Sequence, residues 1–227
     1  MVTTISEDKY NYTVFFDIDK TLISKISGRE LVFAALRNGY IKPAQLLRNL
    51  ITYLLYKIRI IDPLKMSEKL IRWTKGIPQV DLDELCHETT EHILLPSIYN
   101  EALSEIAFHR KNNARIVLLS ATVTQVCRII AGKVGADDFI CTELESKDGT
   151  LTGTPSGILC FGEGKKERLR EYCYKNNTNF SESFYYGDSV SDLPVFLSVG
   201  HPVCINPSRK LSKTASERGW RILNWSS

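Results

Sequence analysis

The chain has no excess of charge of one sign. Its 227 residues include 29 Lys and Arg against 26 Asp and Glu, which gives a formal net charge of +3. So small a balance gives no argument for a nucleic-acid partner, and we expect none. Charge is uneven along the chain, however, because the stretch between Ile23 and Gly76 holds eleven basic residues and three acidic ones. Near a reaction centre such a stretch would attract anionic substrates, although a solvated helix face is the simpler interpretation.

The chain also lacks the cysteine patterns of metal sites and secreted scaffolds. Its six cysteines include no CxxC pair, and its polar, acidic N-terminus shows no secretory signal. We therefore predict reduced thiols in a cytoplasmic protein. His87 and His92 are five residues apart and do not stack on one helical turn, so no zinc site is expected. The cysteines are Cys86, Cys127, Cys141, Cys160, Cys173 and Cys204.

No apolar run is free enough of charge to cross a membrane. The most apolar stretch, Leu46–Ile61, is interrupted by Arg48, Lys57 and Arg59. Its apolar residues recur at helical spacing, which predicts a helix packed within the protein. A basic amphipathic helix lying on a membrane surface is possible but is not the favoured interpretation.

Short apolar runs alternate with helical patterns, which is typical of an open parallel sheet. Helical spacing occurs at Ile98–Arg110, Val123–Lys133 and Lys165–Lys175, and the Asp-Gly pair within Lys147–Gly153 predicts a small hairpin. The sequence therefore predicts an α/β fold. The predicted strands are Tyr12–Phe16, Arg115–Leu119, Phe184–Tyr186 and Pro202–Ile205.

The stretch from Ser24 to about Leu95 contains helical patterns and no strand run. We interpret it as an all-helical cap, residues 24–96, inserted after the first strand. The catalytic core would then comprise residues 1–23 and 97–227.

The first predicted strand leads into two aspartates, Asp17 and Asp19, which packing alone does not explain. Two carboxylates this close repel each other unless a cation or a reacting group lies between them. Residues i and i+2 of an extended chain point to one side, so both carboxylates could converge on one point. One could attack a substrate while the other moves a proton.

Polar side chains follow three of the predicted strands, where ligands of open α/β sheets bind. Together with a lysine they predict phosphoryl transfer. A carboxylate attacks phosphorus, a second acid moves the proton, lysine and hydroxyl groups hold the phosphate, and carboxylates hold Mg²⁺. These polar residues are Asp17 and Asp19, Ser120 and Thr122, and Asp188 and Asp192.

At these residues the sequence resembles the haloacid dehalogenase superfamily, in particular its phosphoserine-phosphatase-like branch with a helical cap (subfamily IB). The family motifs are DxDxT, a strand ending in Ser or Thr, a lysine that opens a helix, and GDxxxD. The family's lysine is followed by Glu two residues later and Leu four residues later, which favours Lys165 over Lys166. The motifs are matched, in order, by Asp17, Asp19 and Thr21; by Ser120; by Lys165; and by Gly187, Asp188 and Asp192.

The resemblance implies a Rossmann-like parallel-sheet core and a role for each matched residue. Asp17 would be the nucleophile and Asp19 the general acid and base. Lys165 would stabilise the aspartyl-phosphate, and the phosphate would be held by Thr21, Ser120, Ala121 and Lys165. Mg²⁺ would be held by Asp17, the backbone carbonyl of Asp19, and Asp188. Asp192 would either bind Mg²⁺ through water or position Lys165.

Each motif residue also has a structural interpretation. Ser120 could simply cap the following helix, Thr21 could be a loop residue, and Lys165 a solvated lysine at a helix start. The Asp19-Lys20-Thr21 segment further resembles the phosphorylated segment of ion-pumping ATPases, in which Asp19 would carry the phosphoryl group. Without membrane spans or room for a nucleotide domain, that alternative is not favoured.

The resemblance implies a Mg²⁺-dependent phosphomonoesterase acting on a small anionic metabolite, and the sequence does not identify which one. Phosphoserine phosphatases usually carry an acidic residue in the stretch that corresponds to Ser24–Gly28, which holds none here, and Asn at the position of Ser191. Phosphoserine, histidinol phosphate and a phospholipid-related phosphate are the candidates. The alternative is a non-catalytic or membrane-peripheral binding protein that retains the fold. The oligomeric state is not predicted.

Overall fold

Six parallel strands form the central sheet of the computed structural model, which describes residues 10–42 and 71–226. The strand order is β3-β2-β1-β6-β7-β8, so β1 lies in the interior between β2 and β6. Two further strands, β4 and β5, form a separate hairpin. The strands are β1 (Tyr12–Phe16), β2 (Ala114–Val123), β3 (Asp138–Thr142), β4 (Leu144–Lys147), β5 (Thr150–Pro155), β6 (Phe184–Gly187), β7 (His201–Ile205) and β8 (Arg221–Leu223).

Helices cover both faces of this sheet, as expected for parallel strands. The α-helices of the described residues are α1 (Ser27–Arg37), α2 (Gln79–Thr89), α3 (Asn100–Lys111), α4 (Thr124–Val134), α5 (Glu163–Lys175), α6 (Leu193–Phe196) and α7 (Arg209–Arg218). Single turns lie at Arg72–Thr74, Leu95–Ser97, Phe180–Glu182 and Val190–Asp192, and a π-helical turn at Thr90–Leu94 continues α2. The predicted α/β fold is confirmed, and each of the four predicted strands lies within or coincides with an observed one.

Alternate residues of the interior strands feed two separate apolar cores. Phe16 of β1 belongs to the core beneath α3 and α4, whereas its neighbour Phe15 belongs to the core beneath α5, α6 and α7. Tyr186 and Tyr185 of β6 divide in the same way. This is the alternation expected when both faces of a strand are buried.

The described part of the predicted cap, residues 24–42 and 71–96, is helical apart from its turns. Helix α1 packs against α2, and α2 packs against α4. Apolar residues of α1 and α2, such as Leu31 and Leu82, join the same core as α4. The division into core and cap therefore stays a prediction, and the Leu46–Ile61 segment lies outside the described residues.

The predicted hairpin is present as the antiparallel pair β4 and β5. It is paired with the chain just before α2, because Gly76 N donates to Leu151 O and Leu151 N donates to Ile77 O, both at 2.9 Å. The hairpin thus joins the α2 segment to the chain that leads into α5. In the part of the chain that is described, no helix has the length and apolar character needed to cross a bilayer.

The expectation of six reduced cysteines is wrong for two of them. Cys127 of α4 and Cys141 of β3 form a disulfide, although 14 residues separate them in sequence. Helix α4 packs across β3, and this packing brings the two side chains together. The remaining cysteines are buried free thiols, namely Cys86, Cys160, Cys173 and Cys204.

Candidate active site

Lys165 lies at the centre of a buried polar cluster at the carboxyl edge of the sheet. It belongs to the first turn of α5, and its side chain is 2% exposed. Its Nζ donates to Asp17 Oδ1 at 3.0 Å, to Asp192 Oδ1 at 3.0 Å and to the Tyr185 hydroxyl at 2.8 Å. Lys166, the alternative in the motif, is 46% exposed and pairs with Glu163 at 3.5 Å. The structure therefore brings Lys165, and not Lys166, to the aspartates.

The sheet explains why the aspartates meet. Asp17 follows β1 and Asp188 follows β6, and these strands are parallel neighbours in which Phe16 pairs with Tyr186. Asp17 N donates to Tyr186 O at 2.9 Å, which continues the pairing by one residue. Carboxylate oxygens of Asp17, Asp188 and Asp192 all lie within 4.8 Å of one another. Three carboxylates thus share a site with one buried ammonium.

Burial and the crowding of these charges together shift their pKa values. Burial, followed by the charges of Asp17 and Asp192, raises the pKa of Asp188 to about 8. Burial also raises the pKa of Asp17, although the Lys165 charge lowers it in part. Burial by itself would lower the pKa of Lys165, but the charges of Asp17 and Asp192 outweigh it and raise that pKa above its ordinary value. The site therefore carries more negative charge than Lys165 balances.

This donor set fits a hard divalent cation. Mg²⁺ prefers oxygen ligands and is commonly bound by one or two carboxylates together with water and phosphate oxygens. Asp17, Asp188 and Asp192 supply such oxygens, and a cation among them would offset their mutual repulsion. The acidic cluster lies where the sequence motifs predict a magnesium site.

Asp19 does not belong to that cluster. Its Oδ1 accepts a hydrogen bond from the backbone N–H of Ser27, the first residue of α1, at 2.9 Å. Burial, followed by the charge of Asp17, raises the pKa of Asp19 to about 7. The two predicted partners thus differ: the carboxylate of Asp17 contacts Lys165, whereas that of Asp19 is held at the start of α1.

Ser120 and its neighbours lie at an irregular point of β2. The register between β2 and β3 shifts between Leu119 and Val123, and such irregularities re-aim side chains. Ser120 is 1% exposed, and a hydrogen bond from it lowers the pKa of Asp17. Its Oγ also accepts from Thr122 N at 3.5 Å. Ser120 therefore lies beside Asp17, and its assignment as a phosphate ligand stays a prediction.

The remaining predicted phosphate ligands make different contacts. The carbonyl of Ala121 accepts a hydrogen bond from Thr142 Oγ1 at 2.8 Å, and Ala121 itself is exposed. Thr21 is fully buried, and its Oγ1 has no hydrogen-bond partner among the described residues. Their assignment to phosphate stays a prediction.

Sequence reasoning missed two residues of this site. In the sequence Tyr185 is only part of a predicted buried strand, although its hydroxyl contacts Lys165 in the structure. Ser27 is only part of the predicted cap, yet besides holding Asp19 it donates from Oγ to Thr122 Oγ1 at 2.7 Å. The sequence offers one signal for Tyr185: a hydroxyl-bearing side chain two positions before the glycine of the GDxxxD motif.

Comparisons with known proteins identify the family of this chain. The family model described as haloacid dehalogenase-like hydrolase matches residues 14–197. A probable phosphatase of Mycobacterium tuberculosis (strain H37Rv) is 30% identical over 93% of this chain and 75% of its own length. A histidinol-phosphatase of Neisseria meningitidis is 28% identical over 92% of this chain and 97% of its own.

Solved structures show the same fold. A protein of unknown function from Bordetella pertussis superposes with a TM-score of 0.85 at 26% identity and covers 94% of this chain and 98% of its own. A phosphoserine phosphatase in the form of a phospho-aspartyl intermediate analogue superposes with a TM-score of 0.68 at 18% identity, over 94% and 93% of the two chains. The prediction of a phosphatase is confirmed. This chain belongs to the haloacid dehalogenase-like hydrolases.

Proposed function

We propose that the protein is a Mg²⁺-dependent phosphomonoesterase that hydrolyses a small phosphorylated metabolite through an aspartyl-phosphate on Asp17. The observation that carries this proposal is the contact of the buried Lys165 ammonium with Asp17 and Asp192, with Asp188 beside them. A carboxylate next to a fixed cation at a sheet edge suits covalent transfer of a phosphoryl group.

The first half of the reaction forms the covalent intermediate. An Asp17 carboxylate oxygen bonds to phosphorus while the bond from phosphorus to the leaving oxygen breaks. Asp19 gives its proton to that leaving oxygen, so the product departs as a neutral alcohol. Its setting supports this role, because Ser27 N holds one carboxylate oxygen of Asp19, and burial followed by the charge of Asp17 raises the pKa of Asp19 to about 7.

The second half releases phosphate. Water attacks phosphorus, Asp19 takes the proton from that water, and the bond from phosphorus to the Asp17 oxygen breaks. Lys165 and the Ser120 hydroxyl stabilise the charge on the equatorial phosphate oxygens in both halves. Mg²⁺, held by Asp17, Asp188 and Asp192, would supply further positive charge opposite that phosphate.

The charge at the start of α1 bears on the choice of substrate. The acidic residue in the first turn of this helix is Glu30, which forms an ion pair with Arg29 at 2.8 Å. It is therefore poorly suited to receive a free ammonium group, which disfavours phosphoserine. A histidinol-phosphatase is among the relatives, which makes histidinol phosphate a candidate. A screen of phosphoserine, histidinol phosphate and lysophosphatidate with Mg²⁺ would rank them by kcat/KM.

The proposal is tested with Asp17→Asn on p-nitrophenyl phosphate. We expect Mg²⁺-dependent hydrolysis by the wild type and none above background by the variant, because an amide does not replace the attacking carboxylate. Asp138→Asn is the matched control, since Asp138 begins β3 at the opposite edge of the sheet and pairs with Arg115 at 3.7 Å. The control should retain full turnover; near-normal turnover by Asp17→Asn would defeat the assignment.

A further inference from the structure

We propose that Tyr185 is a positioning residue for Lys165: its buried hydroxyl fixes the ammonium between Asp17 and Asp192. The inference rests on the proposed function, because it assigns to Tyr185 the placement of the cation that contacts the phosphate. Tyr185 itself does not touch the reacting atoms in this account.

The hydrogen-bond inventory of Lys165 is complete only with Tyr185. An ammonium group has three N–H donors and no acceptor. Two of them go to Asp17 and Asp192, each at 3.0 Å, and the third goes to the Tyr185 oxygen at 2.8 Å. Because Lys165 is 2% exposed, water is poorly placed to take over the third donor. Three fixed partners leave the ammonium a single orientation.

Asp192 lies on the same ammonium as the Tyr185 hydroxyl. Lys165 Nζ donates to the Tyr185 oxygen at 2.8 Å and to Asp192 Oδ1 at 3.0 Å, and so links the two side chains. Burial, followed by the charge of Asp192, raises the pKa of Tyr185, so the phenol keeps its proton near that carboxylate. The three side chains together hold the ammonium at a fixed position beside Asp17.

The ring of Tyr185 is fixed by its packing. Tyr185 is fully buried and meets Phe196 in an edge-to-face contact with centroids 4.9 Å apart. Gly187 lies on the same side of β6, and a Cβ at that position would come within 2.8 Å of the Tyr185 ring. The absence of a side chain at Gly187 is what leaves room for the ring, so the hydroxyl has little freedom to move away from Lys165.

The next residue provides a matched control. Tyr186 is also fully buried in β6, and its hydroxyl donates to Glu105 at 2.7 Å and contacts His109 Nε2 at 2.8 Å. Its side chain lies on the opposite face of the sheet, in the other apolar core. Removing the Tyr185 hydroxyl breaks its hydrogen bond with Lys165 and removing the Tyr186 hydroxyl breaks two, so a purely structural effect should be no larger at Tyr185 than at Tyr186.

The test compares Tyr185→Phe with Tyr186→Phe on the Mg²⁺-loaded enzyme. We expect Tyr185→Phe to lower kcat by about 10- to 100-fold, which is the range for loss of a hydrogen bond to a charged group. Its KM should stay within about twofold of the wild-type value. Tyr186→Phe should keep kcat within about twofold, even with a similar fall in Tm. Equal kcat values for the two variants would overturn the inference.

A second readout does not require turnover. With ¹⁵N-labelled lysine, NMR should show a slowly exchanging Lys165 ammonium signal in the wild type and in Tyr186→Phe, with cross-peaks to the Tyr185 ring in both. In Tyr185→Phe that signal should broaden or disappear. An unchanged signal in Tyr185→Phe would contradict the inference, and so would a wild type without the cross-peaks. This result does not depend on the Asp17→Asn experiment, so the inference and the proposed function can fail separately.

Discussion

Two adjacent tyrosines of β6 show how one strand serves two different purposes. Tyr185 and Tyr186 are equally buried and both have hydrogen-bonded hydroxyls. On one face the Tyr185 hydroxyl accepts a hydrogen bond from Lys165, which also donates to Asp192; on the other face the Tyr186 hydroxyl contacts His109 and donates to Glu105. The difference between the residue proposed to position Lys165 and a structural one is thus a single position along the strand.

The two networks differ in charge as well as position. The Tyr185 face holds a buried ammonium among carboxylates at the carboxyl edge of the sheet. On the Tyr186 face, His109 lies between two tyrosine hydroxyls, with Tyr12 OH 3.0 Å from its Nδ1. A buried set of like charges destabilises a fold and is retained where it serves chemistry, whereas a network in which each polar group has a partner stabilises a fold.

The largest further effect is expected from Gly187→Ala, which acts on the Tyr185 face alone. The added methyl group would meet Tyr185 Cε1 at 2.8 Å and Phe196 Cζ at 3.1 Å. We expect a loss of about 1–3 kcal/mol in the free energy of unfolding from overpacking. Because the ring must move, the bond to Lys165 should also weaken and kcat should fall. Urea unfolding and p-nitrophenyl phosphate hydrolysis measure the two effects.

Gly132→Ala is the control for that variant. Gly132 lies in α4 with nothing within 4 Å of its added Cβ, so alanine there should stabilise the protein by about 0.5–1 kcal/mol. Opposite signs at the two glycines are expected. If Gly187→Ala matched Gly132→Ala in stability and activity, Tyr185 would not be confined as described.

The smallest effect is a pH dependence that belongs to the Tyr186 face. Burial lowers the pKa of His109 below its ordinary value of 6.5; the Glu105 charge opposes this shift and the Arg221 charge adds to it. The unfolded chain then binds the proton more readily, so the free energy of unfolding should fall as the pH drops below about 6.5. The measurement is the free energy of urea unfolding between about pH 7.5 and about pH 5, the range in which histidine titrates.

Two variants isolate this contribution from the other titrating groups. His109→Gln removes the titration, so its free energy of unfolding should change less with pH than that of the wild type. His87→Gln, at an exposed position of α2, is the control for the loss of a histidine elsewhere in the chain. Parallel curves for the wild type and His109→Gln would show that His109 does not control this behaviour.

Much of the fold could be predicted from local sequence, and the missed parts have clear causes. The interior strands β1, β2, β6 and β7 are runs of apolar residues, which the sequence displays directly. The edge strands β3 and β8 were missed, because Asp138–Thr142 opens with a charged residue and Arg221–Leu223 has three residues. The disulfide depends on how α4 packs on β3, which residue spacing does not reveal.

The candidate site divides in a similar way. Asp17, Lys165 and Asp188 could be found because each sits in a motif at a fixed spacing. The roles of Tyr185 and Ser27 could not be found, because they depend on contacts between residues far apart in sequence. Tyr185 and Lys165 are 20 positions apart, and Ser27 and Thr122 are 95 positions apart. Motifs identify groups that do chemistry, whereas the residues that hold them emerge only from the fold.

The central claim is that phosphorus becomes bonded to Asp17, and trapping that bond tests it most directly. Asp19→Asn should slow release of the phosphoryl group, so acid quenching during turnover, borohydride reduction and mass spectrometry should find homoserine at position 17. Homoserine at position 19 in the wild type, as the resemblance to ion pumps would require, or no modified residue at either position in both proteins, would contradict the account.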